Sequence, residues 1–313
     1  MLPGLDEVRA AAERLAGRTH RTPVLTCSAM DAMAGASLFF KCENFQKTGA
    51  FKFRGASNAV ELLEESERGV ATHSSGNHGA ALAAAAKARG ISAHIVVPEN
   101  ATTVKLAAVE HYGGQVILCK PTLEARETTL ERVVAETGAF FVPPFDHPHI
   151  IAGQGTAALE LLEEVDGLDA VIAPVGGGGL VSGTGIAVRG LRPKTEVFAA
   201  EPEQADDAAR SFLSGKIEPA NSNTIADGLL TSLGPLTFQA IRETVSDVIT
   251  VSEAEIVAAL RTAWERMKIV IEPSSAVPVA AVLKDKRFKG KRVGVILTGG
   301  NVDLKGLAKI LAD

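Results

Sequence analysis

The sequence predicts an α/β fold of parallel-type sheets flanked by helices, and three observations predict it. Short apolar runs of β type alternate along the chain with longer stretches of helical composition. The short runs are apolar on both faces, which suits strands covered by helices on either side. The helical stretches close on glycine, which accepts the left-handed turn that ends many helices. At 313 residues, 46% of them apolar, the chain can bury a large core and is read as two domains.

In chain order, GVATH (69–73), SAHIVVP (92–98), GQVILCK (114–120) and AFFVPP (139–144) read as strands. Between them lie GAALAAAAKARG (79–90), TTVKLAAVEHYG (102–113) and TLEARETTLERVVAETG (122–138), of helical composition. The alternation resumes with AVIAPVG (170–176), EVFAAEP (196–202), DVITVS (247–252) and RVGVILTGG (292–300). SEAE at 252–255 is a capping box that opens the helix containing Trp264. No internal repeat, low-complexity tract or Pro/Ser-rich linker breaks this order.

Composition excludes several classes of function. A formal charge of −5 and a pI near 5.9 give no electrostatic case for nucleic acid or an anionic membrane. Aromatic content of 4% argues against base-stacking platforms. Cys27, Cys42 and Cys119 are scattered, with neither zinc-site spacing nor a disulfide framework, as expected in a reducing compartment. The opening MLPGLDEVRAAAERLAG mixes acids and bases, unlike a signal peptide. No apolar run approaches the roughly 20 residues that span a bilayer. The expectation is a cytoplasmic protein with a small-molecule partner, and with neither nucleic acid nor membrane.

Chemistry is sought beyond the carboxyl ends of strands, where such sheets bind ligands. Lys52, between two phenylalanines in TGAFKFRGASNAV (48–60), is either a snorkelling helix-start lysine or a buried amine. A buried amine has a lowered pKa and is a nucleophile able to form a Schiff base with a carbonyl. At the first strand end, Ser74, Ser75, Gly76, Asn77 and His78 precede an alanine-rich helix. They suit a carboxylate held by backbone N–H groups, or else plain helix capping. At the second, Gly176, Gly177, Gly178 and Gly179 form a side-chain-free turn fit to cradle a phosphate. Gly177-x-Gly179-x-x-Ser182 with Glu201 also approximates a dinucleotide fingerprint, loosely, because Ser182 replaces the third glycine. At the third, Thr298 offers a neutral hydroxyl before Gly299 and Gly300. A lysine, a phosphate cradle and a carboxylate loop together describe a pyridoxal phosphate enzyme.

The motifs ENFQKTGAFKFRGA, HSSGNHG, AGQGT, PVGGGG, TIADG, IEP and TGGNVDL occur in the order seen in fold-type II pyridoxal phosphate enzymes. From about residue 20 onward the chain resembles their serine/threonine dehydratase, serine racemase and 3-hydroxyaspartate dehydratase branch. That resemblance implies a two-domain, tryptophan synthase β-like fold and pyridoxal 5'-phosphate as cofactor. It makes Lys52 the Schiff-base lysine and the base on one face of the substrate α-carbon. Phe51 would pack beside the ring, Asn77 contact its phenolic oxygen and Thr298 face its nitrogen, while Gly176–Gly179 hold the phosphate. Ala50 stands where the family often has Ser, and Thr298 where it often has Ser, keeping the hydroxyl.

A neutral hydroxyl at the ring nitrogen disfavours a long-lived carbanion and favours prompt loss of a β-substituent. The leading expectation is therefore β-elimination from serine, threonine or threo-3-hydroxyaspartate to a 2-oxo acid and ammonia. The alternative is serine racemisation, with Ser75 passing a proton on the face opposite Lys52. Ser74, Ser75, Asn77 and His78 are expected at the substrate. Arg126, which has no acid three or four positions away on its helix, is either solvated or paired with a second substrate carboxylate. Similar enzymes carry a divalent cation (Mg, Mn or Ca) at the motif matching Glu201, the Ala205 carbonyl and Asp207; read alone, that motif is an acidic turn. The resemblance further suggests a homodimer. It suggests a large cofactor domain (1–67 plus 146–313) and a small mobile one (68–145) carrying the carboxylate loop. An end soon after GGNVDL carries the expectation of no regulatory domain.

Overall fold

The computed structural model describes residues 1–64, 68–74, 76–220, 223–304 and 306–308. The chain opens with α1 (Leu5–Leu15), β1 (Val24–Leu25), α2 (Ser28–Ala34), β2 (Ser37–Cys42) and α3 (Lys52–Glu61). There follow β3 (Val70–His73), α4 (Asn77–Arg89), β4 (Ala93–Pro98), α5 (Thr103–His111), β5 (Gln115–Cys119), α6 (Leu123–Thr137) and β6 (Phe140–Phe141). The next stretch holds α7 (Pro148–Glu164), β7 (Ala170–Pro174), α8 (Gly179–Leu191), β8 (Glu196–Pro202) and α9 (Asp207–Ser214). Last come α10 (Pro235–Thr244), β9 (Asp247–Val251), α11 (Glu253–Thr262), α12 (Pro273–Lys284) and β10 (Arg292–Leu297).

These strands form two sheets, one of six strands in the order β1-β2-β10-β7-β8-β9 and one of four in the order β5-β4-β3-β6. Every pairing is parallel except β1 with β2, which is antiparallel and caps one edge of the larger sheet. The period of two along each strand sends alternate residues to opposite cores. In β7, Ala170 and Ile172 join one core with α11 and α12, while Val171 and Ala173 join the other with α7 and α8. In the four-stranded sheet, Ile95 and Val97 pack against α3 and α4, and Val96 faces Leu130 and Val133 of α6.

The predicted alternation holds, with local differences. AFFVPP contributes only Phe140–Phe141 as strand, because two prolines follow and cannot donate to a ladder. The capping box at Ser252 and Glu255 forms as read, but α11 ends at Thr262 and Trp264 lies in a π-turn, Ala263–Met267, that continues it. Gly90 and Gly138 end α4 and α6 in the left-handed conformation. The strands β1 and β2 escape the alternation reading because a loop and a short helix, not a covering helix of full length, separate them. No helix among the described residues is long and apolar enough to cross a membrane.

Candidate active site

Lys52 starts α3 directly after a bridge between Ala50 and Gly299, and the Phe51 N–H donates to the Thr298 carbonyl at 2.9 Å. The amine turns inward and donates to the Pro144 carbonyl at 2.6 Å, 5.2 Å from the centre of the Phe51 ring. Its partner is a carbonyl and not a carboxylate, so burial pushes its pKa down to about 8. Lys52 as a whole is half-buried, with its amine turned inward and not out to solvent.

The turn before Lys52 is strained. Thr48 has φ 63°, an unusual conformation for a β-branched residue, and Gly49 follows at φ 73°. Asn301 holds this turn by donating from Nδ2 to the Thr48 carbonyl at 2.7 Å. A Cβ on Gly49 would lie 2.4 Å from Asn301 Oδ1, so glycine is required there.

Two residues beyond Lys52, the fully buried Arg54 anchors α3. Its guanidinium donates to both Glu43 oxygens (2.7 and 2.9 Å) and to both Glu160 oxygens (2.7 and 2.8 Å). Lys41 donates to the same Glu160 at 2.6 Å. Burial opposes charge on Glu160, but the hydrogen bonds and charges of Arg54 and Lys41 outweigh it and leave its pKa below the ordinary range. Sequence reasoning missed this cluster because Glu160, which joins Arg54 to Lys41, lies 106 positions from Arg54.

At the carboxyl end of β3, α4 begins at Asn77, just before the alanine-rich stretch read from Gly79. Gly76 is the N-cap and no side chain caps the helix, which leaves first-turn N–H groups for a ligand. Ser74 Oγ accepts weakly from the Gly76 N–H at 3.4 Å. Ser75 lies outside the described residues. The His78 ring is buried and donates from Nε2 to the Val142 carbonyl at 3.0 Å. Burial, and then the nearby Lys52 charge, push its pKa down to about 3, so the ring is neutral. With Nε2 engaged, His78 keeps its backbone N–H at the helix start and a buried, unpartnered Nδ1.

The glycine turn joins β7 to α8, with Gly178 at φ 87° as N-cap. A Cβ on Gly177 would meet the Phe145 ring at 2.3 Å, and one on Gly176 would meet Leu229 Cα at 2.8 Å. The loop backbone is therefore packed from behind with no room for side chains, and α8 presents its first-turn N–H groups, as a phosphate cradle requires. Ser182 is buried within α8 with its hydroxyl toward the Thr237 carbonyl. The Glu201 carboxylate accepts from the Ala208 and Ala209 N–H groups at 3.0 and 2.9 Å, so it caps α9 and does not face the glycine turn. The dinucleotide reading loses both of its distinguishing residues.

At the end of β10 the Thr298 hydroxyl lies 2.9 Å from the Ser275 hydroxyl, which also donates to the Gly299 carbonyl at 2.8 Å. Beside them is Glu272, quoted in the IEP motif without a role. Asn77 Nδ2 donates to its two oxygens at 2.9 and 3.2 Å, and Asn301 Nδ2 donates to Asn77 Oδ1 at 2.9 Å. Burial and the Asp227 charge push the Glu272 pKa up to about 8.

Arg126 lies on α6 with its Nε buried and without a hydrogen-bond partner. Its charge reaches His73 at the end of β3, which burial and Arg126 together keep below its ordinary pKa. Both oxygens of Asp207 are likewise buried without a partner, and Ala205 is fully buried beside them in the chain. Burial raises Glu201 to about 9 and Asp207 to about 6, as befits acids short of a counter-charge. No cluster of three or more His, Cys, Asp or Glu side chains forms a metal site among the described residues.

This fold, with an inward amine between a glycine turn and an open helix start, defines an enzyme that uses pyridoxal phosphate. The chain matches the family described as Pyridoxal-phosphate dependent enzyme over residues 15–299, and it belongs to that family. It is 53% identical to a serine racemase of Dictyostelium discoideum over 316 residues, covering 98% of this chain and 97% of the relative. It is 52% identical to a beta-hydroxyaspartate dehydratase of Paracoccus denitrificans, covering 98% of each. The solved structure of maize serine racemase is similar at a TM-score of 0.96 and 46% identity, over 100% of this chain and 98% of that one. The protein is thus a fold-type II enzyme of the group that holds serine racemases and hydroxyaspartate dehydratases.

Proposed function

We propose that the protein dehydrates and deaminates a hydroxy amino acid to a 2-oxo acid and ammonia, with 3-hydroxyaspartate ahead of serine and threonine. The observation that carries this is the inward Lys52 amine, with its pKa near 8, beside the glycine turn and the open start of α4. The site fits pyridoxal phosphate: α8 offers its first N–H groups to a phosphate, and the Thr298 hydroxyl offers no charge to a ring nitrogen. When bound, the cofactor supplies an electrophilic aldehyde and a conjugated ring that draws electron density from a substrate α-carbon.

The residues divide the remaining work. The start of α4, with Ser74 and the Asn77 and His78 N–H groups, receives the α-carboxylate. Lys52, partly unprotonated near neutral pH, takes the proton from the α-carbon. The Cβ–O bond then breaks, the departing hydroxide takes up one proton, balancing the one Lys52 removed, and leaves as water; water added to the freed enamine then gives the 2-oxo acid and ammonia. Arg126, with its buried unpartnered Nε, receives the second carboxylate of 3-hydroxyaspartate. Residues 68–145 move as the small unit that closes over the substrate, and two chains pair as a homodimer.

A divalent cation (Mg, Mn or Ca) belongs at Asp207 and the Ala205 carbonyl, with Glu201 joining after it releases α9. The unpartnered Asp207 oxygens support this, since buried carboxylates need a partner. A second reading, serine racemase, is favoured by the likeness to relatives of that name, and it gives Ser75 the proton on the face opposite Lys52.

Borohydride reduction of the yellow protein, followed by peptide mapping, should place the label on Lys52; a label elsewhere or none rejects the cofactor reading. Ammonia release and D-serine formation, measured on serine, threonine and both 3-hydroxyaspartate diastereomers, then rank the two reactions. Faster formation of D-serine than of ammonia from L-serine would put racemisation first.

A further inference from the structure

The Glu272 carboxyl departs from what its position favours. It stands at the N-cap of α12, where an acid ordinarily turns back to the first N–H groups of its own helix. No such cap bond forms. The carboxyl crosses instead to Asn77, the first residue of α4, in the layer built on the other sheet. Space is kept for it: a Cβ on Gly299 would lie 2.7 Å from Glu272 Oε1. The far end of the Asn77 amide is gripped as well, by Asn301, whose own place depends on the absent side chain of Gly49.

We propose that Glu272 is a positioning residue that fixes the Asn77 amide with its N–H side toward the cofactor, and that Asn301 completes the clamp. This inference rests on the pyridoxal phosphate reading above. Both Glu272 oxygens accept from Nδ2, so the carboxyl takes the amide by its donor edge. Asn301 Nδ2 only donates, so it selects the Oδ1 edge. With both ends fixed, the amide cannot rotate by half a turn. The Nδ2 hydrogen not engaged by Glu272 is the remaining donor, and a donor is what the negatively charged phenolic oxygen of the cofactor needs. A glutamine at 272 could donate to Oδ1 and turn the wrong edge outward. Other charged groups facing the carboxyl are Asp227, which opposes its ionisation, and Lys105, which favours it; these two pair at 2.8 Å.

The test compares Glu272→Gln and Asn301→Ala, each in the wild-type and the Asn77→Ala background. Cofactor is removed and pyridoxal phosphate added back, with affinity read by fluorescence and cofactor state by visible absorption. Loss of one charge-assisted hydrogen bond should weaken cofactor binding about ten- to a hundredfold in each single variant. It should also move absorption from the long-wavelength band of the phenolate toward the shorter-wavelength band of the neutral phenol. In the Asn77→Ala background Glu272→Gln should weaken binding by no more than about twofold, since it has nothing left to orient, while Asn301→Ala should keep only the part of its loss that comes through the Thr48 turn. Additive losses in the double variants, or an unchanged spectrum in Glu272→Gln, overturn the role of Glu272. Glu272→Gln preserves shape and Asn301→Ala attacks the clamp from the other side, so a folding defect in one leaves the other decisive. Borohydride labelling of Lys52 in the unmodified protein separates this failure from failure of the cofactor reading itself.

Discussion

The Lys52 amine is held 2.6 Å from the Pro144 carbonyl, so the reactive end of α3 meets the loop that leaves β6 of the smaller sheet. The contact lies where the two layers face each other. A carbonyl dipole steadies an ammonium far less than a carboxylate does, and the amine stays easy to deprotonate.

Lys52 should weaken the cofactor-free fold at neutral pH. Its folded pKa, about 8, is below its ordinary 10.5, so the native state binds fewer protons than the unfolded chain between those values. Stability therefore rises with pH through that window, and the penalty is complete below it. Lys52→Met should gain about 1–3 kcal/mol at pH 7, shrinking to near zero above pH 10.5, as read by urea denaturation across pH. Equal gains at both ends of the range would reject a buried, charge-strained amine.

The Arg54 cluster should be the costliest ionic feature to break. Glu43→Ala leaves a buried guanidinium half paired and should cost about 3–5 kcal/mol in denaturant titration. Because the folded Glu160 pKa is below its ordinary value, the stability it contributes is present above that ordinary value. It disappears as pH falls through the folded pKa, and Glu160→Gln should remove that acid limb.

Gly177→Ala should push the glycine turn off Phe145. An added Cβ 2.3 Å from the ring forces a backbone shift, with a cost of about 1–3 kcal/mol. Cofactor affinity should fall at least about tenfold, because misplaced N–H groups lose a phosphate hydrogen bond. Phe145→Ala should restore much of that affinity in the double variant, and simple additivity would contradict the packing argument.

Arg126→Gln should separate substrates. For 3-hydroxyaspartate, KM should rise about tenfold to a hundredfold through loss of a charged hydrogen bond, with serine changed by about threefold or less. Parallel losses on both substrates would place Arg126 elsewhere in the mechanism.

Metal dependence should follow Asp207. Its pKa is raised to about 6 without a cation, so its ionisation costs stability as pH climbs from about 4 to 6. Magnesium, manganese or calcium should reverse that trend and raise Tm, while Asp207→Asn should abolish the rise. A thermal shift that survives Asp207→Asn would move the cation to another site.

The parts that were legible share a local cause. A glycine run, an amine between aromatic residues and a polar segment before an alanine-rich helix each declare themselves within about a dozen residues. The strand β6 shrank to Phe140–Phe141 and the turn at Trp264 took π form because prolines and neighbouring packing overrode a good local pattern. Glu272 was visible as part of a motif, but nothing in IEP says that its carboxyl faces Asn77, 195 positions away.

The sequence by itself determined the alternation of strands and helices, and it marked one lysine, one glycine turn and one polar helix start as the places to look for chemistry. Those follow from periodicity, side-chain size and backbone freedom, all of which act between near neighbours. Only the tertiary structure decided that Lys52 points to Pro144, that Arg54 is closed in by Glu43 and Glu160, and that Asn77 is clamped between Glu272 and Asn301. Desolvation and hydrogen-bond geometry are set by whichever residues the fold brings alongside, and no local pattern names them.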